Sequence, residues 1–402
     1  MARNSEDNGA GARPLRILTV DVGTGTQDIL LFESGRTIEN CFQMVMPSPT
    51  VIVAERIQRA TADHHPVLLT GRTMGGGPAA WAARDHAQAG LPCYATPDAA
   101  RTLDDDLAQV EAQGLRIVDA AEAARLLAAE DGALVHIPLR DFDAAALARA
   151  LGAFGVDPRV DLVAVAAFDH GAAPPGYSDR RFRFEFIEAA VRARPDPLAF
   201  AYHADELPTD LTRLHAVAED AAGYPARGDG AAPVVVVMDT GAAAVAGALE
   251  DPAVRMHDDC LIANVGNFHT LAFYLRAGRI VSLFEHHTGL LDRNKLEGYL
   301  RALAAGTLDN ATIFSDSGHG ALSLVPAATT ASPASADIVP FLAVTGPRRA
   351  LLRGSALHPY EAVPHGDMML AGCYGLLRAV AALFPAHASA IEEVLGPAPL
   401  AV

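Results

Sequence analysis

Asp21-Val22-Gly23-Thr24-Gly25-Thr26-Gln27-Asp28 lies between two apolar runs, Ile17–Val20 and Ile29–Phe32, and carries the residue types that hold a phosphate. Glycines at 23 and 25 let the backbone approach a ligand closely and permit positive φ. The N–H groups of Thr24, Gly25 and Thr26 then form an anion-binding concavity, and Asp21 is placed to hold a hydrated Mg²⁺ at the phosphates. A plain β-hairpin with a glycine turn satisfies the same pattern.

Cys260 to Leu275 repeats that architecture: apolar strand, polar residue, glycine turn, threonine, apolar strand. Such an internal echo points to duplicated architecture. Asn264, Gly266, Asn267, His269 and Thr270 occupy the turn here, and an asparagine in place of the opening aspartate weakens any direct metal role. Asp239 ends the apolar run Val234–Met238 and opens a small-residue helix from Ala242 to Leu249. A carboxylate there caps the helix.

Three acid and histidine groups lie beside glycines: Asp169-His170, Glu285-His286-His287, and Asp316 with His319. Converged, they bind a transition metal or act as acid and base toward a substrate; apart, they are hydrogen-bonded turn residues. Gly75-Gly76-Gly77 opens an Ala-rich helix whose free N–H groups suit an anion, although a packing turn fits equally. No Lys-Ser or Lys-Thr follows, which excludes a standard P-loop. Arg72, Arg180, Arg181 and Arg183 offer bidentate contacts to carboxylate or phosphate, so an anionic or polar small-molecule substrate is expected, with Arg181 a candidate contact and surface pairing the alternative.

The elements that must position these groups alternate between strand and helix, the pattern of an α/β fold. Strands are predicted at Pro66–Gly71, Pro92–Thr96, Leu115–Val118, Leu134–Ile137, Val160–Phe168, Val234–Met238 and Pro340–Thr345. Helices are predicted from Gly75 toward Gly90, Leu103 to Gln113, Ala144 to Phe154, Asp292 to Ala305 and Asp367 to Phe384. Ala221 to Ala232 is the most linker-like stretch, and Ala327 to Ala336 is rich in Ser, Ala and Pro.

A chain of 402 residues exceeds the size of a single core, so two domains are the default. The formal net charge of −17 argues against nucleic acid or an acidic membrane surface as partner. Four scattered cysteines, Cys41, Cys93, Cys260 and Cys373, lack the spacing of a zinc or iron–sulfur site and read as buried, reduced thiols. Residues 1–13 form no secretory signal and read as a disordered tail. No run reaches the ~20 apolar residues of a membrane span. A cytoplasmic protein is expected.

Two glycine-turn hairpins separated by a small-residue helix resemble the actin-like ATPase superfamily of sugar kinases, heat-shock chaperone ATPases and actin. The order matches as well: Asp21–Asp28 resembles the first phosphate motif, Asp239–Gly247 the first connecting helix, and Ile262–Phe273 the second phosphate motif. Ala343–Gly346 with Pro347-Arg348-Arg349 stands where the adenosine turn falls, and Gly366–Leu376 resembles the second connecting helix. Nearly the whole chain resembles a bacterial and archaeal family of that superfamily labelled pyruvate formate-lyase activating enzyme-like. Thr70–Pro78, Phe168–Gly171, Ser178–Phe184, Glu285–Gly289 and Asp316–Gly320 carry this likeness. The label does not suit the chemistry, because a glycyl-radical activase needs three closely spaced cysteines.

The resemblance implies two actin-like (ribonuclease H-like) domains with an interdomain cleft: residues 14–245 with insertions, residues 246–364, and residues 365–402 returning to the first domain. It implies ATP and Mg²⁺ clasped by Gly23–Thr26 and Gly266–Thr270, Asp21 and Asp28 acting on the metal or its waters, Gly346 near the adenosine, and phosphoryl transfer to a small polar acceptor with Asp239 as base. Alternatives are an ATP-driven module that activates a partner protein, or a retained fold whose histidines and aspartates bind a metal or other ligand.

Overall fold

The computed structural model describes residues 13–129, 133–228, 231–325 and 339–398. The tail read at residues 1–13, Arg13 apart, and the Ser/Ala/Pro-rich stretch lie outside these. The chain is mixed α/β with three sheets. In chain order the strands are β1 (Arg16–Val22), β2 (Thr26–Glu33), β3 (Phe42–Pro47), β4 (Val67–Gly71), β5 (Cys93–Ala95), β6 (Arg116–Ile117), β7 (Val135–Leu139) and β8 (Leu162–Ala167). They continue with β9 (Ala201–His203), β10 (Val234–Asp239), β11 (Asp259–Val265), β12 (His269–Arg276), β13 (Arg279–His287), β14 (Gly320–Ser323), β15 (Phe341–Thr345) and β16 (Tyr360–Glu361).

The first sheet has the order β3-β2-β1-β8-β10-β9 and the second β14-β13-β12-β11-β15-β16. In each, a glycine-turn hairpin extends on one side into an antiparallel meander, while its first strand pairs in parallel on the other, β1 with β8 and β11 with β15. The duplication reaches the hydrogen bonds. Gly23 N–H donates to the Thr26 carbonyl at 2.9 Å, and Gly266 N–H to the His269 carbonyl at 3.0 Å.

One core lies between the two sheets. It joins Ile17, Leu30 and Phe32 of the first to Ile262, Phe273 and Leu283 of the second through two helices of small residues, Thr240–Ala248 and Ala371–Leu383. These helices touch backbone to backbone: a β-carbon on Gly247 would overlap the Ala371 carbonyl, and one on Gly375 the Ala243 carbonyl. Only glycine permits this spacing. The second helix also lies on the first hairpin, with Cys373 Sγ 3.1 Å from the Asp28 carbonyl.

The third sheet falls inside the segment read from sequence as insertion-bearing, whose strands carried no sheet assignment. β6-β5-β4-β7 is all parallel and separate, with its own core of Val67, Leu69, Ala83, Ala95, Ile137 and neighbours. Short strands joined by helices close on themselves when both faces can be covered. Other predicted ends shift. The helix expected from Leu103 spans Leu107–Ala112, because the Asp106 side chain accepts from Ala108 N–H and starts it late. The closing helix begins at Ala371 after Asp367 accepts from Met369 N–H, and a further helix, Pro385–Leu395, follows. The four cysteines are free and buried. Among the described residues no helix is long and apolar enough to cross a membrane.

Candidate functional site

The turns of both large sheets open on one cavity of about 420 Å³. Gly23, Thr24 and Thr26 line it from the first turn and Gly266, Asn267, Phe268 and His269 from the second; Thr345, Gly346 and Pro347 follow β15, and Met74 to Gly77 follow β4. The turns approach so closely that a β-carbon on Gly25 would stand 2.6 Å from Asn267 Nδ2. Gly23, Gly25 and Gly266 do not have positive φ, which corrects the reading of the first two: they are required for close approach. Gly346 does need its φ of +92°, and a β-carbon there would stand 2.5 Å from Asn264 Oδ1 and from the Val265 carbonyl oxygen.

Ser48 occupies the carbonyls of the first turn, its N–H donating to Gly25 O at 3.1 Å and its hydroxyl to Thr24 O at 2.6 Å. Among the described residues no protein acceptor meets the N–H groups of Thr24, Gly25, Asn267 or Phe268. Two sets of free amides therefore flank one cavity.

Asp21 and Asp28 are directly opposite across β1 and β2, so their side chains share a face. Both are buried and line the cavity. Asp21 Oδ1 accepts from Thr240 Oγ1 at 2.6 Å, and Gly372 packs against the same carboxylate so tightly that a β-carbon would overlap it. Asp28 Oδ1 is buried without a partner. Burial first, and then the charges of neighbouring aspartates, push Asp21 up to about 7 and Asp28 to about 8. Two unneutralised carboxylates with an orphaned oxygen fit a hydrated divalent cation. In the second hairpin their counterparts are Asn264 and Leu271, which offer no such pair.

Asp239 has a different position from the one expected. Its Oδ1 accepts from the N–H groups of Gly241 and Ala242, capping the first connecting helix, and its Oδ2 lies 2.9 Å from Arg183 Nη2. It is not on the cavity wall. Both oxygens are committed, so the base assignment gives way to the capping role. Arg183 also holds Glu285 through two hydrogen bonds, at 2.7 and 2.5 Å, and donates to the Asp169 carbonyl at 2.7 Å. Arg183 makes the bidentate carboxylate contact expected of the arginines, but to a buried protein carboxylate, and its spacing with Ile187 and Val191 on the helix Asp179–Ala193 places it on the buried face.

The glycine run Gly75–Gly77 is engaged from within at its first amide and at the helix that follows. Gly75 N–H donates to Asp141, which Arg213 clamps at 2.7 and 3.0 Å, and Thr50 Oγ1 takes the first free amide of the following helix, Ala79 N–H. All three glycines line the cavity, and among the described residues no protein acceptor meets the N–H groups of Gly76 and Gly77. Asp169 accepts from Gly171 and Leu214 N–H groups and is likewise engaged, while His170 stands half exposed on the cavity wall 3.6 Å from Asp105. Arg181 is exposed over the Phe314 ring, away from the cavity, and Thr270 is buried against Thr288. Trp81 and Phe268, 5.5 Å apart, form an aromatic rim that sequence reasoning did not mark.

The histidines regroup. His286 turns away, fully buried, with Nε2 3.0 Å from Asp316, which also accepts from Lys295 and Tyr299. His287 and His319 instead meet His269 of the second turn. One ring nitrogen of each lies within 4.8 Å of the other two. Phe168 stacks on His269 at 4.0 Å between ring centres, and the Arg183 guanidinium lies 3.9 Å from the centre of the Phe168 ring. Burial above all drives the three imidazoles toward their neutral forms, His269 well below its ordinary value and His319 to about 2.

A family model described as "Putative pyruvate format-lyase activating enzyme (DUF1786)" matches residues 74–351. The chain belongs to that family. No curated protein matches it in sequence. Among solved structures it is similar to an Aquifex aeolicus PPX-GPPA enzyme at 8% identity, over 71% of this chain and 56% of that one, with a TM-score of 0.19. It is also similar to an acetone carboxylase in its nucleotide-free structure, at 11% identity over 67% and 45% with a TM-score of 0.21. A carbohydrate kinase from Novosphingobium aromaticivorans shares 13% identity over 97% and 93%, with a TM-score of 0.22. The chain spans little more than half the length of the first of these. Overlaps of this size carry nothing about activity.

The family's description names an activating enzyme, whose glycyl-radical chemistry needs a cluster of cysteines. Cys41, Cys93, Cys260 and Cys373 lie at separate places in the fold, Cys93 in the third sheet, Cys260 in the second and Cys373 on a helix over the first. They offer no shared ligand set.

Proposed function

We propose that the cavity binds ATP with Mg²⁺ and serves phosphoryl transfer to a small polar acceptor. The observation that carries this reading is the close approach of Gly25 and Asn267, which brings two turns with unpartnered amides to the wall of one cavity. Such amides suit phosphate oxygens, and phosphoryl transfer asks the protein mainly for positioning and charge neutralisation. The duplicated strand order supports an actin-like arrangement, with domains at residues 14–245 and 246–364 and the closing helices returning to the first.

Asp21 and Asp28 would hold the Mg²⁺ through its waters; bound there, the ion would neutralise charge on the β- and γ-phosphates. Thr240 orients Asp21 by its hydrogen bond. Thr345, Gly346, Met368 and Met369 line the end of the cavity that suits the nucleoside. Calorimetric titration with ATP and Mg²⁺ tests the reading, followed by a screen of small hydroxylated metabolites for phosphate acceptance. Saturable heat that disappears in Asp21→Asn is expected. Absence of heat in the unaltered protein would overturn it.

A further inference from the structure

We propose that His269, His287 and His319 bind a divalent first-row transition-metal ion in the wall of this cavity, at a site distinct from the Asp21–Asp28 pair. Three neighbouring strands deliver the ligands to one end of the second sheet. His269 and His287 are direct partners across β12 and β13, and His319 immediately precedes β14, its N–H donating to the Glu285 carbonyl at 3.0 Å. The ring centres are 5.1, 5.1 and 4.7 Å apart. A shift of roughly 1 Å or less per ring brings the nitrogens to the ~2.0–2.1 Å of a metal–imidazole bond.

Two further observations point to a missing cation. His319 is 3% exposed, and its Nδ1 has no hydrogen-bond partner, lying 3.5 Å from Glu285 Oε2. A buried imidazole nitrogen is ordinarily bonded. The adjacent buried ion group is also unbalanced, because Arg183 faces two carboxylates, Asp239 and Glu285. A divalent ion among neutral imidazoles offsets the surplus. Imidazole-only ligation suits zinc, iron, cobalt or nickel better than magnesium. His269 and Glu285 both reach the cavity wall, so the ion would stand beside the space where an oxyanion substrate enters.

The test uses the full chain, freed of metal with chelator and titrated with Co²⁺ while visible d–d absorption is followed. Wild-type protein should take up about one equivalent at the three histidines, displaced by Zn²⁺, with at least ~100-fold weaker binding in His319→Ala and in His287→Gln. His287 is partly exposed, so its variant serves if His319→Ala fails to fold. His257→Ala, whose ring stacks on Phe341 away from the cavity, should bind as wild type does. Asp21→Asn should also keep the Co²⁺ spectrum, which separates this site from the nucleotide reading. Absence of d–d absorption in the wild type, or an unchanged spectrum in both histidine variants, would overturn the proposal.

Discussion

Arg183 Nη2 lies 2.9 Å from Asp239 Oδ2, and this contact ties the start of the first connecting helix to the helix Asp179–Ala193. The arginine is 3% exposed and carries Glu285 as well. Removing one partner of a buried ion group leaves the others uncompensated, at a cost of about 3–5 kcal/mol. Arg183→Met is therefore expected to lose stability on that scale in urea denaturation. A loss below about 1 kcal/mol would show that solvent already reaches the group.

Asp239→Asn keeps an acceptor for the helix cap but releases Arg183 toward Glu285. Because Thr240, next in sequence, holds Asp21, nucleotide affinity and turnover should fall in similar proportion. Loss of turnover at intact affinity, measured by calorimetry beside a phosphate-transfer assay, would restore Asp239 as the base.

Asp28→Asn removes a buried carboxylate whose Oδ1 has no partner. The metal-free protein should melt at a higher temperature than wild type, while Mg²⁺·ATP binding weakens at least ~10-fold, the loss of one charge-assisted contact. Paired thermal melts with and without Mg²⁺ check both halves, and a lower melting point without metal would contradict the first.

The same carboxylates set a pH dependence. Asp21 and Asp28 titrate at about 7 and about 8 in the folded chain, against an ordinary value near 4. Between those values the folded state binds more protons than the unfolded one, so this contribution to stability is full below about pH 4 and is lost as pH rises through 7 to 8. Mg²⁺ competes with the same protons. Its stabilising effect should be small at about pH 6 and large at about pH 8.5; equal thermal shifts at both would rule the pair out as the cation site.

Two glycines should respond differently to alanine. At Gly375 the added carbon meets the fixed Ala243 carbonyl, so about 3 kcal/mol of stability should be lost. At Gly25 it meets the movable amide of Asn267, so stability should change by less than about 1 kcal/mol while nucleotide affinity drops. Denaturation and calorimetry on the two variants separate a hinge glycine from a site glycine; the same response in both would remove that distinction.

Several features were legible in the chain. The paired hairpins, the small-residue helices and the glycine turns follow from local pattern, since a strand alternates with period two and a glycine marks where backbone meets backbone. Alternation even separates His286 from Glu285 and His287, which face the other side of β13. Grouping the two histidines together overlooked that rule.

Sequence by itself marked the strands of both glycine-turn hairpins and most of their parallel neighbours, and showed that the hairpin is duplicated, because these depend on neighbours a few residues apart; the strands β3, β9, β13, β14 and β16 were not read from it. Only the tertiary structure decided that Arg183 takes Asp239 and Glu285, that Asp141 takes the first amide of the glycine run, and that His269 joins His287 and His319. Those partners lie tens to hundreds of residues apart. Their meeting depends on how the sheets pack around the connecting helices, and local propensity carries no information about that distance.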